Sequence, residues 1–177
     1  MEIIYAIDIK NGLSKNGTIP WKSKKDMSFF RKMTTNNIVI MGKNTFFSIP
    51  IEHRPLKNRL NIVLTNSPNL YDKNTGNSNI LFTNNINIYE EILKNKPIYS
   101  EMYPYLQHDF KIFIIGGKTI YDQFIPISNI IWVTRIKSDY NCDLFLEYDD
   151  ITNTQFSVEE VYEDTNELTI LKYIRKI

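Results

Sequence analysis

Lys111-Ile112-Phe113-Ile114-Ile115-Gly116-Gly117-Lys118-Thr119-Ile120-Tyr121-Asp122-Gln123-Phe124 reads as a strand, a glycine pair and a helix in immediate succession. Ile112 to Ile115 is wholly apolar, the pattern of a strand buried on both faces of a parallel sheet. Two glycines let the backbone come close to a ligand, and a helix start brings N–H groups and a positive dipole end to the same place. The stretch lacks the dinucleotide fingerprint G-x-G-x-x-G and is not a Walker loop. Two readings therefore stand: a phosphate-binding helix start, or a plain turn.

A second junction of the same type lies upstream. Asn37 to Met41 reads as a strand ending at Gly42, and Lys43 to Ser48 as a short helix stopped by Pro50. With Lys43 and Thr45 beside it, this too is a candidate anion site. Further strands are expected at Ile3 to Ile9, Leu60 to Leu64, Ile80 to Thr83 and Asn129 to Ile136. Helical stretches are expected at Ile86 to Leu93 and around Tyr99 to Leu106, and polar loop at Asn69 to Asn79. The glycine- and asparagine-rich segment Asn11 to Thr18 reads as a loop loose enough to act as a lid. Alternating Phe156 to Tyr162 and Leu168 to Ile174, joined by Asp164-Thr165-Asn166-Glu167, form a hairpin. Together these predict one α/β domain over residues 1–177: a mixed, mainly parallel central sheet, helices on both faces, and an antiparallel C-terminal hairpin.

Ile19-Pro20-Trp21-Lys22-Ser23-Lys24-Lys25-Asp26-Met27-Ser28-Phe29-Phe30-Arg31-Lys32-Met33 holds the most informative charge. After Pro20-Trp21 it reads as a helix in which Phe29, Phe30 and Met33 share a face. Asp26 lies on that face, where burial of an unpaired carboxylate is costly and raises its pKa. A fixed carboxylate beside aromatic rings suits clamping two adjacent N–H donors on a flat heterocycle. The alternative is an ordinary first-turn acid behind a Ser23 cap.

Net charge of +1 and 23% charged residues give no basic excess, so no nucleic-acid partner is expected. Cys142 is the only cysteine, which excludes an intramolecular disulfide and fits a reducing compartment. His53 and His108 lack metal-ligand spacing, so no metal site is predicted. The opening Ile3-Ile4-Tyr5-Ala6-Ile7 does not read as a signal peptide. The apolar runs fall far short of the ~18 residues of a membrane span. A cytoplasmic protein without a membrane partner is expected.

Taken in order, these pieces resemble dihydrofolate reductase, and the likeness extends over nearly the whole chain. It is carried by Ile4-Tyr5-Ala6 through Asn11-Gly12 and Gly17-Thr18-Ile19-Pro20-Trp21, by Asp26 with Phe30, and by Ile40-Met41-Gly42-Lys43-Asn44-Thr45-Phe46. Arg54-Pro55-Leu56-Lys57-Asn58-Arg59 with Leu60 to Thr65, Ile115-Gly116-Gly117 with Tyr121, and Thr134 complete it. The resemblance implies NADPH-dependent reduction of 7,8-dihydrofolate to tetrahydrofolate, by hydride transfer to pterin C6 and protonation at N5, serving thymidylate and one-carbon metabolism. It further implies a monomeric antifolate target, or one associated with a thymidylate synthase as in proteins that carry both domains.

By the same resemblance, Asp26 holds the pterin N3 and 2-amino edge with Thr134 behind it, and Trp21 joins them in the catalytic group. Ile4 and Ile115 offer backbone carbonyls to the pterin. Tyr5, Met27, Phe30, Ile49, Leu56 and Tyr121 line the substrate channel. Arg54 and Arg59 complete that set, with Arg59 on the glutamate α-carboxylate, a task suited to a guanidinium. Ala6 and the lid residues Leu13, Ser14, Gly17, Thr18 and Ile19 embrace the nicotinamide. Gly116, Gly117, Lys118, Thr119 and Ile120 cradle the pyrophosphate with Thr45, near Gly42 and Asn44. Lys43, Leu64, Thr65 and Asn66 sit at the adenosine 2′-phosphate end. The chain departs from the family pattern in three places: Ser14 replaces a common lid glycine, Asn66 an arginine of some members, and Leu146-Glu147 follow Cys142-Asp143-Leu144-Phe145 without the usual proline. Two other readings follow from these residues: a binding module without useful catalysis, and a reductase of a different pterin or a ribosylamino-pyrimidine. Arg59 speaks against the last, whose substrates lack the glutamate carboxylate.

Overall fold

Residues 1–71, 79–147 and 154–177 are described in the computed structural model; part of the expected loop Asn69 to Asn79 lies outside them. Among them the chain runs β1 (Glu2–Ile7), β2 (Gly12–Ser14), α1 (Lys24–Thr34), β3 (Ile38–Gly42), α2 (Lys43–Ser48), β4 (Leu60–Leu64), β5 (Ile80–Thr83), α3 (Ile88–Lys94) and α4 (Lys96–Met102). It continues as β6 (Ile112–Gly116), α5 (Lys118–Phe124), β7 (Ile130–Ile136), β8 (Leu144–Phe145), β9 (Phe156–Asp164) and β10 (Leu168–Arg175). Eight strands form one sheet in the order β5-β4-β3-β6-β1-β7-β10-β9. All pairs from β5 to β7 are parallel, and β10 pairs antiparallel with both β7 and β9. The expected mixed sheet with its C-terminal hairpin is present.

Successive strand side chains point to opposite faces, and here both faces are buried. On one side Ile3, Ile38, Ile40, Leu60 and Ile62 pack with Ile88 and Ile92 of α3 and with Ile120, Tyr121 and Phe124 of α5. On the other, Ile4, Val39, Met41 and Val63 pack with Phe29 of α1 and Phe46 of α2. The alternation within single strands, Ile3 against Ile4 and Val39 against Ile40, places helices on both faces.

Three expectations shift. The segment Asn11 to Thr18 is not all loop: β2 within it pairs antiparallel with β8, and Lys15 bridges Thr18. The helix expected around Tyr99 to Leu106 begins earlier and ends sooner, as α4. Pro97 stands in its first turn, where a missing N–H costs nothing, and Pro104 disfavours helical geometry at the residue before it. Strand β1 ends at Ile7 rather than Ile9, because Asp8 turns its carboxylate back onto the chain. That carboxylate accepts from the backbone N–H groups of Lys10 (2.9 Å), Gly12 (2.8 Å) and Tyr140 (3.0 Å), fastening the β2 and β8 loops to the end of β1.

Burial opposes ionisation of Asp8, but the N–H donors of Tyr140, Gly12 and Lys10 and the Cys142 thiol outweigh it and hold its pKa below the usual carboxylate value. Its contribution to stability is therefore full above the unfolded value of about 3.9 and fades as pH falls through the lower folded value. Asp8→Asn, which turns an amide NH₂ toward backbone donors, should lower stability at neutral pH by about 1–3 kcal/mol. Urea unfolding of both proteins should show that gap closing on acidification through this window.

Candidate active site

A cleft of about 1560 Å³ opens across the carboxyl ends of β1, β3, β4 and β6, where open α/β sheets place their ligands. Drug-sized sites run to roughly 300–1,000 Å³, so this one has room for two ligands side by side.

Asp26 lines the cleft. Ser23 caps α1, its Oγ accepting from the Asp26 N–H at 3.2 Å, so the ordinary first-turn geometry and the cleft-facing position hold together. Trp21 Nε1 donates to Asp26 Oδ2 at 3.4 Å, and the buried Thr134 hydroxyl also reaches the carboxylate. Desolvation outweighs both and raises the Asp26 pKa. Phe29 of the same helix face is buried, Phe30 and Met33 half-buried, while Met27 lines the cleft with 58% of its surface exposed.

Tyr121 also lines the cleft: its hydroxyl donates to the Ile4 carbonyl at 3.0 Å, and the Tyr5 and Tyr121 rings meet edge to face at 5.5 Å. Burial pushes the Tyr121 phenol well up, so it serves as a donor. The register between β3 and β6 jumps from Ile40–Ile114 to Met41–Gly116, leaving Ile115 without a ladder partner at the cleft edge.

Arg59 is buried. Its Nε donates to the Lys57 carbonyl (2.9 Å) and its Nη1 to Thr34 Oγ1 (3.0 Å), and among the described residues no carboxylate pairs with it. Burial, and then the Arg31 charge nearby, lower its pKa. Arg31 and Lys57 line the same mouth. Two adjacent guanidiniums without an acid between them make an anion site.

Both glycine junctions meet at the cleft: a Cβ on Gly42 would lie 3.9 Å from the Gly116 carbonyl oxygen. A Cβ on Gly42 would stand 3.1 Å from Ile120 Cγ1, one on Gly117 3.0 Å from Thr45 Oγ1, and one on Gly116, at φ +119°, 3.1 Å from the Tyr121 hydroxyl. Lys43, Thr65, Asn66, Lys118 and Thr119 also line the cleft.

The cleft thus gathers the sequence-derived candidates with two exceptions. Trp21 stands behind Asp26, and Arg54 lies outside, donating to the Phe47 (2.7 Å) and Ile49 (3.1 Å) carbonyls with its guanidinium over the Phe47 ring. Arg31, Lys57, Asn84 and Gln123 are cleft residues that the sequence reading did not single out as site residues. Arg31 follows Met27 by one helical turn, a spacing that could have found it; nothing in the sequence marks Asn84 or Gln123.

Known proteins are similar to this chain over nearly its whole length. The family model for dihydrofolate reductase matches residues 1–175. A dihydrofolate reductase of Ureaplasma parvum is 30% identical over 93% of this chain and 92% of its own length. A viral dihydrofolate reductase of Saimiriine herpesvirus 2 is 30% identical over 98% and 81%. A bifunctional dihydrofolate reductase-thymidylate synthase of Daucus carota is 35% identical over 82% of this chain, which spans 28% of that longer protein.

A carboxylate whose folded pKa is raised binds more protons folded than unfolded between the two values, so it lowers stability as pH rises through them. Asp26→Asn should therefore melt at a higher temperature than wild type at neutral pH in the absence of ligand. That advantage should disappear below the unfolded value of about 3.9; calorimetry across pH checks it.

Proposed function

The chain belongs to the dihydrofolate reductase family, and we propose that it reduces 7,8-dihydrofolate to 5,6,7,8-tetrahydrofolate with NADPH. The observation that carries this reading is the pairing, in one cleft, of a half-buried acid, Asp26, with a buried Arg59 that among the described residues has no acidic partner. A flat heterocycle with an amidine edge at one end and a carboxylate at the other matches both.

Asp26 accepts from the pterin N3 and 2-amino groups, and its negative charge there makes N5 easier to protonate. Trp21 and Thr134 hold the carboxylate in place through the hydrogen bonds that bring it to the cleft. Ile115, bulged out of the ladder, turns its carbonyl to the pterin beside Ile4. Phe30, Ile49 and Leu56 pack on the ring system and the benzoyl group. Arg59 takes the glutamate α-carboxylate, and Arg31 beside it suits the second carboxylate of the same glutamate.

The residues present fit a dinucleotide: the Gly42 and Gly116-Gly117 turns leave no room for side chains and line a cleft with room for more than one ligand. NADPH, when bound, supplies the hydride for pterin C6. Gly116, Gly117, Thr45 and Thr119 hold the pyrophosphate, Lys43 and Thr65 the 2′-phosphate, and Ala6 with the lid excludes water from the nicotinamide. We read residues 1–177 as one monomeric, cytoplasmic reductase domain feeding thymidylate and one-carbon metabolism. The two-domain relatives are the observation behind an association with a thymidylate synthase.

Loss of reduced-nicotinamide absorbance on mixing protein, NADPH and dihydrofolate tests the reaction, with NADH in parallel. Asp26→Asn should lower kcat at neutral pH by about 10²–10⁴-fold; unchanged turnover would remove Asp26 from its role. Arg59→Ala should raise KM for dihydrofolate, losing about 2–5 kcal/mol of binding, and leave that for NADPH alone. Lys43→Ala should narrow the preference for NADPH over NADH.

A further inference from the structure

The chain has two Asn-Gly dipeptides, Asn11-Gly12 and Asn16-Gly17, five residues apart in the same loop. Asn-Gly is the sequence most open to self-cyclisation, because glycine puts no side chain in the way of its own attacking nitrogen. The fold treats the two dipeptides oppositely. Gly12 is buried, its N–H is donated to Asp8 Oδ1 at 2.8 Å, and the Asn11 side-chain oxygen accepts from Arg135 at 3.3 Å. Both groups that must react are held.

Asn16-Gly17 is the exposed tip of a two-residue hairpin. Asn16 has φ +50° and Gly17 φ +75°, and the turn closes by Lys15 N–H to Thr18 O (2.9 Å) and Thr18 N–H to Lys15 O (3.1 Å). Among the described residues neither the Gly17 N–H nor the Asn16 side-chain amide has a hydrogen-bond partner, and a Cβ at Gly17 would meet nothing within 4 Å. The Asn16 N–H, by contrast, donates to Asp143 Oδ2 at 2.8 Å, and the Asp143 N–H to the Ser14 carbonyl at 3.0 Å. A carboxylate already faces residue 16.

We propose that Asn16 is a self-modification site, converting to aspartate and isoaspartate while Asn11 is spared, and that the product loosens the loop from Asp143. The Gly17 nitrogen bonds to Asn16 Cγ, closing a succinimide. The side-chain nitrogen departs as ammonia, taking the proton of the Gly17 N–H, and one water opens the ring at either carbonyl. No oxidant or further reagent enters. Either product sets a second negative charge against Asp143, and isoaspartate also adds a backbone carbon to a turn with no slack for it.

The test needs neither substrate nor cofactor, so its failure and that of the proposed activity are separable. Purified protein is aged at mildly alkaline pH, folded or in urea, and digested with trypsin. Cleavage after Lys10, Lys15 and Lys22 puts Asn11 and Asn16 in different peptides. In the folded protein, the peptide from Asn16 to Lys22 should gain the mass shift of amide-to-acid conversion several-fold faster than that from Asn11 to Lys15; in urea the two rates should converge. Equal rates in the folded protein overturn the site. Amide hydrogen exchange of residues 14–18 should quicken in Asn16→Asp and return toward wild type when Asp143→Asn is added. Exchange that is unchanged in Asn16→Asp, or not restored by the second substitution, overturns the loosening.

Discussion

The site depends on how near two backbone turns come to each other. The β3–α2 and β6–α5 junctions are glycines because their neighbours, Ile120, Thr45 and the Tyr121 ring, already occupy the space a side chain would need. Tyr121 in turn is fixed by its hydrogen bond to Ile4 and its ring contact with Tyr5. One closely packed contact set thus aligns β1, β3 and β6, from whose ends both halves of the cleft are built.

The buried ionisable groups divide by how well the fold satisfies them. Asp8 collects three backbone donors, and Glu2, at the other end of β1, accepts from Trp132 Nε1 at 2.7 Å and pairs with Lys111 at 2.7 Å. These carboxylates fasten loops and strand ends. Asp26 and Arg59 have hydrogen bonds but, among the described residues, no ion-pair partner, and both line the cleft. Strained charge of this kind is tolerated where it serves a site, and the proposed reading gives both groups the same ligand.

Much of this was legible in the sequence because it rests on local pattern. Short apolar runs such as Ile38 to Met41 and Ile112 to Ile115, each followed by glycine before a helix start, fit strands buried on both faces, and the glycines mark the two turns at the cleft. Asp26 betrayed itself by standing in line with Phe29 and Phe30. The pairing of β2 with β8 was not legible: Leu144 and Phe145 are two exposed residues whose partner lies far away in the chain. Arg31 looks in sequence like ordinary solvated charge; its turn-spacing from Met27 hints at the cleft face, but only the fold sets its guanidinium near Arg59. Arg54 shows the converse, a motif residue whose guanidinium is engaged by carbonyls of its own neighbourhood.

The antiparallel end of the sheet bears on how the chain comes to be assembled. Strand β10 lies between β7 and β9, and among the described residues β9 pairs with no other strand of the sheet. As the chain is synthesised, β7 therefore keeps one bare flank, and β9 has nothing to join, until β10 has left the ribosome. The apolar residues Leu168, Ile170 and Tyr173, which close both cores, arrive last. Folding of this sheet is thus completed after synthesis of β10 rather than alongside it, and in that interval the flank of β7 is open to whatever other strand, or chaperone, reaches it first.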